Sequence, residues 1–77
     1  MVEAFILITC NKDHEEKILK DLDRIERILT VDRVNGPYSI IIKIKGDSYD
    51  ELKEILTSEI KTIDKIRHTL TLKVKTI

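Results

Sequence analysis

Four stretches of the chain either alternate apolar with polar positions or are mainly apolar throughout, and both patterns predict β-strands. The predicted strands are 2–10, 28–34, 38–45 and 66–76. The first strand is apolar on both faces, because Phe5 and Leu7 lie opposite Ala4, Ile6 and Ile8. The third strand has the same property. A strand with two apolar faces is typical of the middle of a sheet, whereas the mixed polarity of the second strand indicates an edge.

Two helices are predicted from apolar positions three and four residues apart. The first begins at Asp13 and runs to about Asp23 or Arg24, and the second begins at Ser48 and runs to about Thr62. In each case a glutamate follows the first residue by three positions, as in a capping box. The order β-α-β-β-α-β predicts an α+β ferredoxin-like sandwich, in which a four-stranded antiparallel sheet carries two helices on one face. That topology places the first and third strands in the middle.

The predicted sheet has one face that no helix covers. We expect Phe5, Leu7 and Ile41 on this open face, with Thr69 and Thr71 beside them. In the last strand, the side chains expected to point inward are Leu70, Leu72 and Val74. Soluble monomers rarely expose such apolar patches, so a homodimer that packs sheet on sheet is expected. The alternative is a twisted sheet whose threonine and lysine side chains shield the patch.

The second and third strands are joined by the segment Val34-Asn35-Gly36-Pro37-Tyr38-Ser39. Asn-Gly between two strands predicts a tight hairpin turn, because such turns need a positive φ that Gly or Asn supplies. The turn gathers an aromatic ring, a hydroxyl and exposed backbone at one edge of the sheet. We expect this corner to take part if the protein binds a small molecule.

Length and charge restrict the class of protein. The 77 residues predict a single domain, 1–77, and its 14 basic and 14 acidic side chains cancel. Direct nucleic-acid binding is therefore not expected, since it requires a basic face. No signal peptide or apolar run of about 20 residues is recognisable, and Cys10 has no cysteine to pair with. We expect a cytoplasmic protein with no membrane contact.

The residues that could carry chemistry do not form a catalytic or metal-binding pattern. His14 and His68 are far apart in the sequence, and Cys10 has no neighbouring base. We therefore predict no catalytic residues, no metal site, no cofactor and no enzymatic activity. Thr69 and Thr71 place two hydroxyls on one strand face, which reflects either ordinary strand propensity or a polar floor for a small zwitterion.

Taken together, two motifs resemble the effector domain of the Lrp/AsnC transcription regulators, often called RAM. The family hairpin reads Gly-x-Tyr-Asp before an apolar strand, which Gly36-Pro37-Tyr38-Ser39 resembles with Ser in place of Asp. The family's last strand reads Val-x-x-Thr-x-Thr, which is similar to residues 66–71. The resemblance spans nearly the whole chain.

The resemblance implies that these domains dimerise through their sheets, assemble further into rings of dimers, and bind amino acids between dimers. Carried onto this chain, the effector-binding residues are Gly36, Tyr38, Ser39, Thr69 and Thr71. Because Ser39 replaces the family's Asp, the usual partner of an effector's ammonium group is missing. The usual N-terminal helix-turn-helix has no counterpart in the 77 residues. The resemblance thus implies a stand-alone form, which either senses amino acids in association with a full-length Lrp/AsnC regulator or acts as a small-molecule binding protein in its own right.

The expected function is therefore a non-enzymatic effector-binding and oligomerisation module in transcription regulation. One alternative is a small dimeric α+β-barrel enzyme, of the cofactor-free monooxygenase or isomerase type, in which His68 is the only available base. The other alternative is a purely structural assembly module without a ligand.

Overall fold

The computed structural model describes residues 1–74 and shows one four-stranded sheet with two helices. The strands are β1 (Val2–Cys10), β2 (Ile28–Arg33), β3 (Ile40–Gly46) and β4 (Ile66–Lys73). The helices are α1 (Glu15–Leu22) and α2 (Tyr49–Ile55). All strand pairs are antiparallel in the order β2-β3-β1-β4, which confirms the ferredoxin-like α+β fold. Lys75 and Thr76, assigned to the last strand from the sequence, lie outside the described residues.

The hydrophobic core lies between the helices and the two central strands. β1 pairs with β3 on one side and with β4 on the other, as its two apolar faces indicate. Every second side chain of β1 and β3 points towards the helices and is buried, while α1 and α2 turn an apolar stripe towards the sheet. The buried side chains are Ala4, Ile6, Ile8, Cys10, Ile18, Leu22, Ile40, Ile42, Ile44, Leu52, Ile55 and Ile60.

The two helices begin differently. Ser48 caps α2 as predicted, because its Oγ accepts a hydrogen bond from the backbone N of Glu51 at 3.2 Å. The predicted cap at Asp13 is wrong. Asp13 lies inside a 3₁₀ turn, Lys12–His14, that begins after Asn11, and its side chain makes no capping bond. The last part of the second predicted helix is a π-helical turn, Leu56–Ile60.

The orientation predicted for the last strand is also wrong. Leu70 lies opposite Leu7 and Leu72 opposite Phe5, so both leucines are on the open face, where they are 42% and 48% exposed. Thr71 lies opposite Ile6, on the face that the helices cover. Alternation within β4 cannot say which set points inward; its register against β1 decides this.

The open face carries a continuous apolar patch, formed by Phe5, Leu7, Ile41, Leu70 and Leu72 and called here the open-face patch. The three residues predicted from the sequence are half-buried, and the two leucines of β4 are exposed.

A charged margin borders this patch. Lys43 makes an ion pair with Glu3, with Nζ and Oε1 3.2 Å apart, and its Nζ lies 5.5 Å from the centroid of the Phe5 ring.

None of the helices within residues 1–74 is long and apolar enough to cross a membrane.

The β2–β3 hairpin exists, but its turn is not the predicted tight one. Residues 34–39 form a six-residue loop, closed by a hydrogen bond from the backbone N of Val34 to the carbonyl of Ser39 at 2.9 Å. Gly36 has a φ of +135°, in a region that favours glycine. Pro37 cannot donate a ladder hydrogen bond, so pairing does not continue up to the Asn-Gly step.

We predict that Gly36→Ala destabilises the protein. A methyl group at Gly36 would meet no atom within 4 Å, so the effect is backbone strain alone. That strain costs about 1–2 kcal/mol, and each kcal/mol lowers the Tm of a domain of this size by about 4–8 °C. Thermal unfolding checks it, with Asn35→Ala as the neighbouring control. Equal Tm values for the two variants would contradict the prediction.

Candidate ligand site beside the hairpin loop

An open cleft of about 440 Å³ lies where the hairpin loop meets the end of β1 and the start of α1. It is lined by Cys10, Lys12, Glu15, Arg33, Val34, Asn35, Gly36, Tyr38 and Ser39. Its volume is in the range of small-molecule sites. The fold thus brings together three of the five predicted effector-binding residues, namely Gly36, Tyr38 and Ser39.

Two hydrogen bonds attach Ser39 to the end of β1. Its backbone N donates to the carbonyl of Ile8 at 2.8 Å, and its Oγ donates to the carbonyl of Cys10 at 3.2 Å. The Ser39 hydroxyl proton is therefore already used, and the oxygen is left only as an uncharged acceptor. These bonds position the loop beside β1, and the loop forms one side of the cleft.

Among the described residues that line the cleft, positive side chains outnumber negative ones by two to one. Arg33, the last residue of β2, makes an ion pair with Glu15 at the start of α1, with 2.9 Å between Nε and Oε1. The Glu15 side chain is only 17% exposed. Lys12 also lines the cleft, and within residues 1–74 no carboxylate lies within 4.0 Å of its Nζ. Two cations therefore face one paired carboxylate.

The remaining predicted site residues lie elsewhere in the protomer. Thr69 lines a hollow near the start of β4, together with Lys61 and His68. Thr71 lines another hollow, between β4 and α2, with Tyr49 and Lys73. Both threonines are on the helix side of the sheet by their register, not on the open face as predicted. One protomer does not unite them with the hairpin loop.

Sequence reasoning missed the charged residues of the cleft. Arg33 adjoins the hairpin loop and could have been included as its neighbour. Lys12 and Glu15 follow β1, and the C-terminal end of β1 lies beside the start of the antiparallel β3, where Ile8 pairs with Ile40. The predicted topology was therefore sufficient to predict that the β1–α1 connection lies beside the hairpin loop.

The histidines remain separate in the structure. His14 immediately precedes α1, and His68 is an exposed residue of β4 opposite Thr9. Over residues 1–74, no three His, Cys, Asp or Glu side chains are grouped as metal ligands would be.

Cys10 also lines the cleft and is 8% exposed. Burial raises the pKa of its thiol, the neighbouring Ser39 hydroxyl acts in the opposite direction, and the charge of Glu15 raises the pKa further. The net shift is upward, so the thiolate is disfavoured at neutral pH. This environment is typical of a packing residue and not of a nucleophile.

We predict that Cys10 reacts slowly with thiol reagents. The raised pKa and the burial both reduce the accessible thiolate at pH 8, so modification by a disulfide reagent in the native protein should be at least about 10-fold slower than in urea. The urea-unfolded chain is the internal control. Equal rates in the two states would show that the thiol is open to solvent.

Comparison with known proteins places this geometry in a family. A model described as the Lrp/AsnC ligand binding domain matches residues 3–75. The regulatory protein AsnC of Haemophilus influenzae is 33% identical over 67 residues, which are 87% of this chain and 44% of that protein. The chain thus spans less than half the length of this curated relative.

Solved structures agree in fold. E. coli AsnC superposes with a TM-score of 0.92 at 32% identity, over 99% of this chain and 52% of that one. FFRP-DM1 gives a TM-score of 0.91 at 27% identity, over 97% of this chain and 100% of that one. The family match over nearly all residues and these two superpositions lead to one conclusion. The chain belongs to the Lrp/AsnC ligand-binding domain family.

Proposed function

We propose that the protein is a non-enzymatic module of transcription regulation that binds a small effector and oligomerises. The observation that carries this proposal is the cleft at the hairpin loop. It holds Gly36 and Tyr38, which match the family's hairpin motif, and Ser39, which stands at the position of the motif's Asp, and its volume suits a molecule related to amino acids. Membership of a regulatory ligand-binding family supports the same function.

We propose that two copies pack sheet on sheet through the open-face patch. Five apolar side chains from three strands lie side by side there, and their burial would contribute roughly 25 cal/mol per Å². Leu70 and Leu72 enlarge the patch beyond the three residues predicted from the sequence. The larger patch makes shielding by threonine and lysine side chains the weaker alternative.

Assembly of these dimers into a larger oligomer would connect effector binding to regulation. A ligand that contacts the hairpin loop of one dimer and a residue of another stabilises that assembly by its differential affinity. Thr69 and Thr71 belong to the proposed site only in this way, as residues supplied by a neighbouring protomer.

The enzyme alternative has less support. Such an enzyme needs an enclosed polar cavity between sheet and helices, and the aliphatic core occupies the space beneath β1 and β3. The hollow between β4 and α2 is lined by Tyr49, Thr71 and Lys73, with no histidine among its described lining residues. His68, the only base considered for it, is exposed and lies opposite Thr9, away from that core. A structural module without a ligand is the remaining alternative, which a ligand-response experiment separates from the proposal.

The cellular setting is part of the same proposal. The domain would act in the cytoplasm as a single unit, with no nucleic-acid contact of its own, in association with a full-length Lrp/AsnC regulator. The balanced charge of 14 basic and 14 acidic residues supports a protein partner over DNA. Co-purification with such a regulator, with and without effector, would test the partnership.

We predict that Leu70→Asp converts the dimer to a monomer. Leu70 is 42% exposed in the protomer, so the fold tolerates the change, but a carboxylate in the apolar interface costs on the order of 3 kcal/mol. That is more than a 100-fold loss of dimer affinity. Sedimentation velocity checks it. The control is Leu29→Asp. Leu29 is also 42% exposed, but it lies in β2, where the pairing with β3 is irregular between Ile28 and Thr30, and it is not part of the open-face patch. A wild-type protein that stays monomeric at micromolar concentration would contradict the interface.

We predict that ligand stabilisation depends on Tyr38. An effector at about 100 times its Kd stabilises the native state by about 2.7 kcal/mol, which raises the Tm by several degrees. Tyr38→Ala should abolish most of this rise, whereas Tyr49→Ala, at the only other tyrosine, should retain it relative to its own baseline.

A panel of amino acids and their 2-oxo acids provides the ligands, read by thermal shift and native mass. If no compound alters Tm or assembly, the sensor function is wrong and the structural alternative is favoured.

A further inference from the structure

We infer that the cleft at the hairpin loop selects a small carboxylate that lacks an α-ammonium group, such as a 2-oxo acid, over the corresponding amino acid. This inference rests on the proposed effector site and specifies the chemistry of its ligand. It follows from the charges of the residues that line the cleft and from the hydrogen bonds that already engage its polar groups.

The first step is the charge balance. Lys12 and Arg33 carry positive charges, and Glu15 is the only acidic residue among those described as lining the cleft. One positive charge is therefore uncompensated. A monoanion neutralises it, whereas a zwitterion leaves it in place and brings its own cation close to two others.

The second step concerns the partner that an ammonium group would need. Ser39 offers only an uncharged oxygen, since its proton is donated to the carbonyl of Cys10 at 3.2 Å. Glu15 is held by Arg33 at 2.9 Å and is 17% exposed, so binding an ammonium there would disturb an existing ion pair. A bound ammonium would thus lie near two cations, with no free carboxylate among the described lining residues to receive it.

The third step concerns the partner that a carboxylate would find. The Lys12 Nζ has no carboxylate within 4.0 Å in the described part of the chain, and it has three donors on a flexible stem. Arg33 also lines the cleft, and its guanidinium carries donors besides the Nε that contacts Glu15. The two cations that line the cleft therefore both favour a bound carboxylate.

The rest of the cleft favours an organic anion over an inorganic one. Val34, Tyr38 and Cys10 supply apolar surface on its walls. A short aliphatic or aromatic chain on the carboxylate can pack against them, which phosphate cannot do. The ligand class is therefore a small monocarboxylate with an apolar side chain.

Titration calorimetry with matched pairs tests the inference: 2-oxoisovalerate against L-valine, and 2-oxo-4-methylpentanoate against L-leucine. We expect each 2-oxo acid to bind at least 10-fold more tightly than its amino acid, and its affinity to fall as ionic strength rises. Inorganic phosphate should bind more weakly than either 2-oxo acid. Equal binding of phosphate would overturn the assignment to a carboxylate.

Three variants locate the effect. Lys12→Gln should weaken 2-oxo acid binding about 10-fold, and the control Lys45→Gln, on β3 outside the cleft, should not. Glu15→Gln should strengthen 2-oxo acid binding, because the cleft then carries more net positive charge. Ser39→Asp should reverse the preference in favour of the amino acid, since it supplies a carboxylate on the hairpin loop.

The results separate this inference from the proposed function. Amino acids that bind as well as or better than the 2-oxo acids in the wild type would overturn the inference and leave the effector site intact. Unchanged 2-oxo acid affinity in Lys12→Gln would also overturn it. If neither class binds, both the inference and the effector site are wrong.

Discussion

The structure depends on the position of β1 between β3 and β4 and on its two apolar faces. One face, with Ala4, Ile6 and Ile8, forms the centre of the core beneath the helices. The other face supplies Phe5 and Leu7 to the open-face patch. The C-terminal end of the same strand holds Ser39 by hydrogen bonds to the carbonyls of Ile8 and Cys10. Core, proposed interface and candidate site therefore all rest on one strand.

Much of the fold could be predicted from the sequence, because two strands that are apolar on both faces are typical of the middle of a sheet and the order β-α-β-β-α-β allows few topologies. The orientation of β4 could not. The alternation of leucines and threonines in β4 is compatible with the leucines on either face of the sheet. The register of β4 against β1 decides between the two, and register depends on long-range pairing that the local pattern does not contain. The Asn-Gly step similarly predicted a tight turn, but Pro37 interrupts the ladder and the loop widens to residues 34–39.

Only some residues of the candidate site could be predicted from the sequence. Gly36, Tyr38 and Ser39 are contiguous in the chain, so a motif can find them. Lys12 and Glu15 are distant in sequence and reach the cleft because antiparallel pairing places the end of β1 beside the start of β3. These distant residues give the cleft its charge. The serine at position 39 must be considered together with these charged residues. A hairpin loop without a carboxylate and a cleft with an excess of positive charge both favour a small carboxylate as the ligand.

The central claim is that a small carboxylate binds at the hairpin loop. The most direct measurement is an amide chemical-shift titration of the ¹⁵N-labelled protein with 2-oxoisovalerate. The account predicts that the largest shifts occur at Lys12, Arg33, Gly36 and Ser39, with little change at Thr71 and Lys73 in the hollow beneath α2. Shifts centred on that hollow, or none at the hairpin loop at saturating ligand, would contradict it.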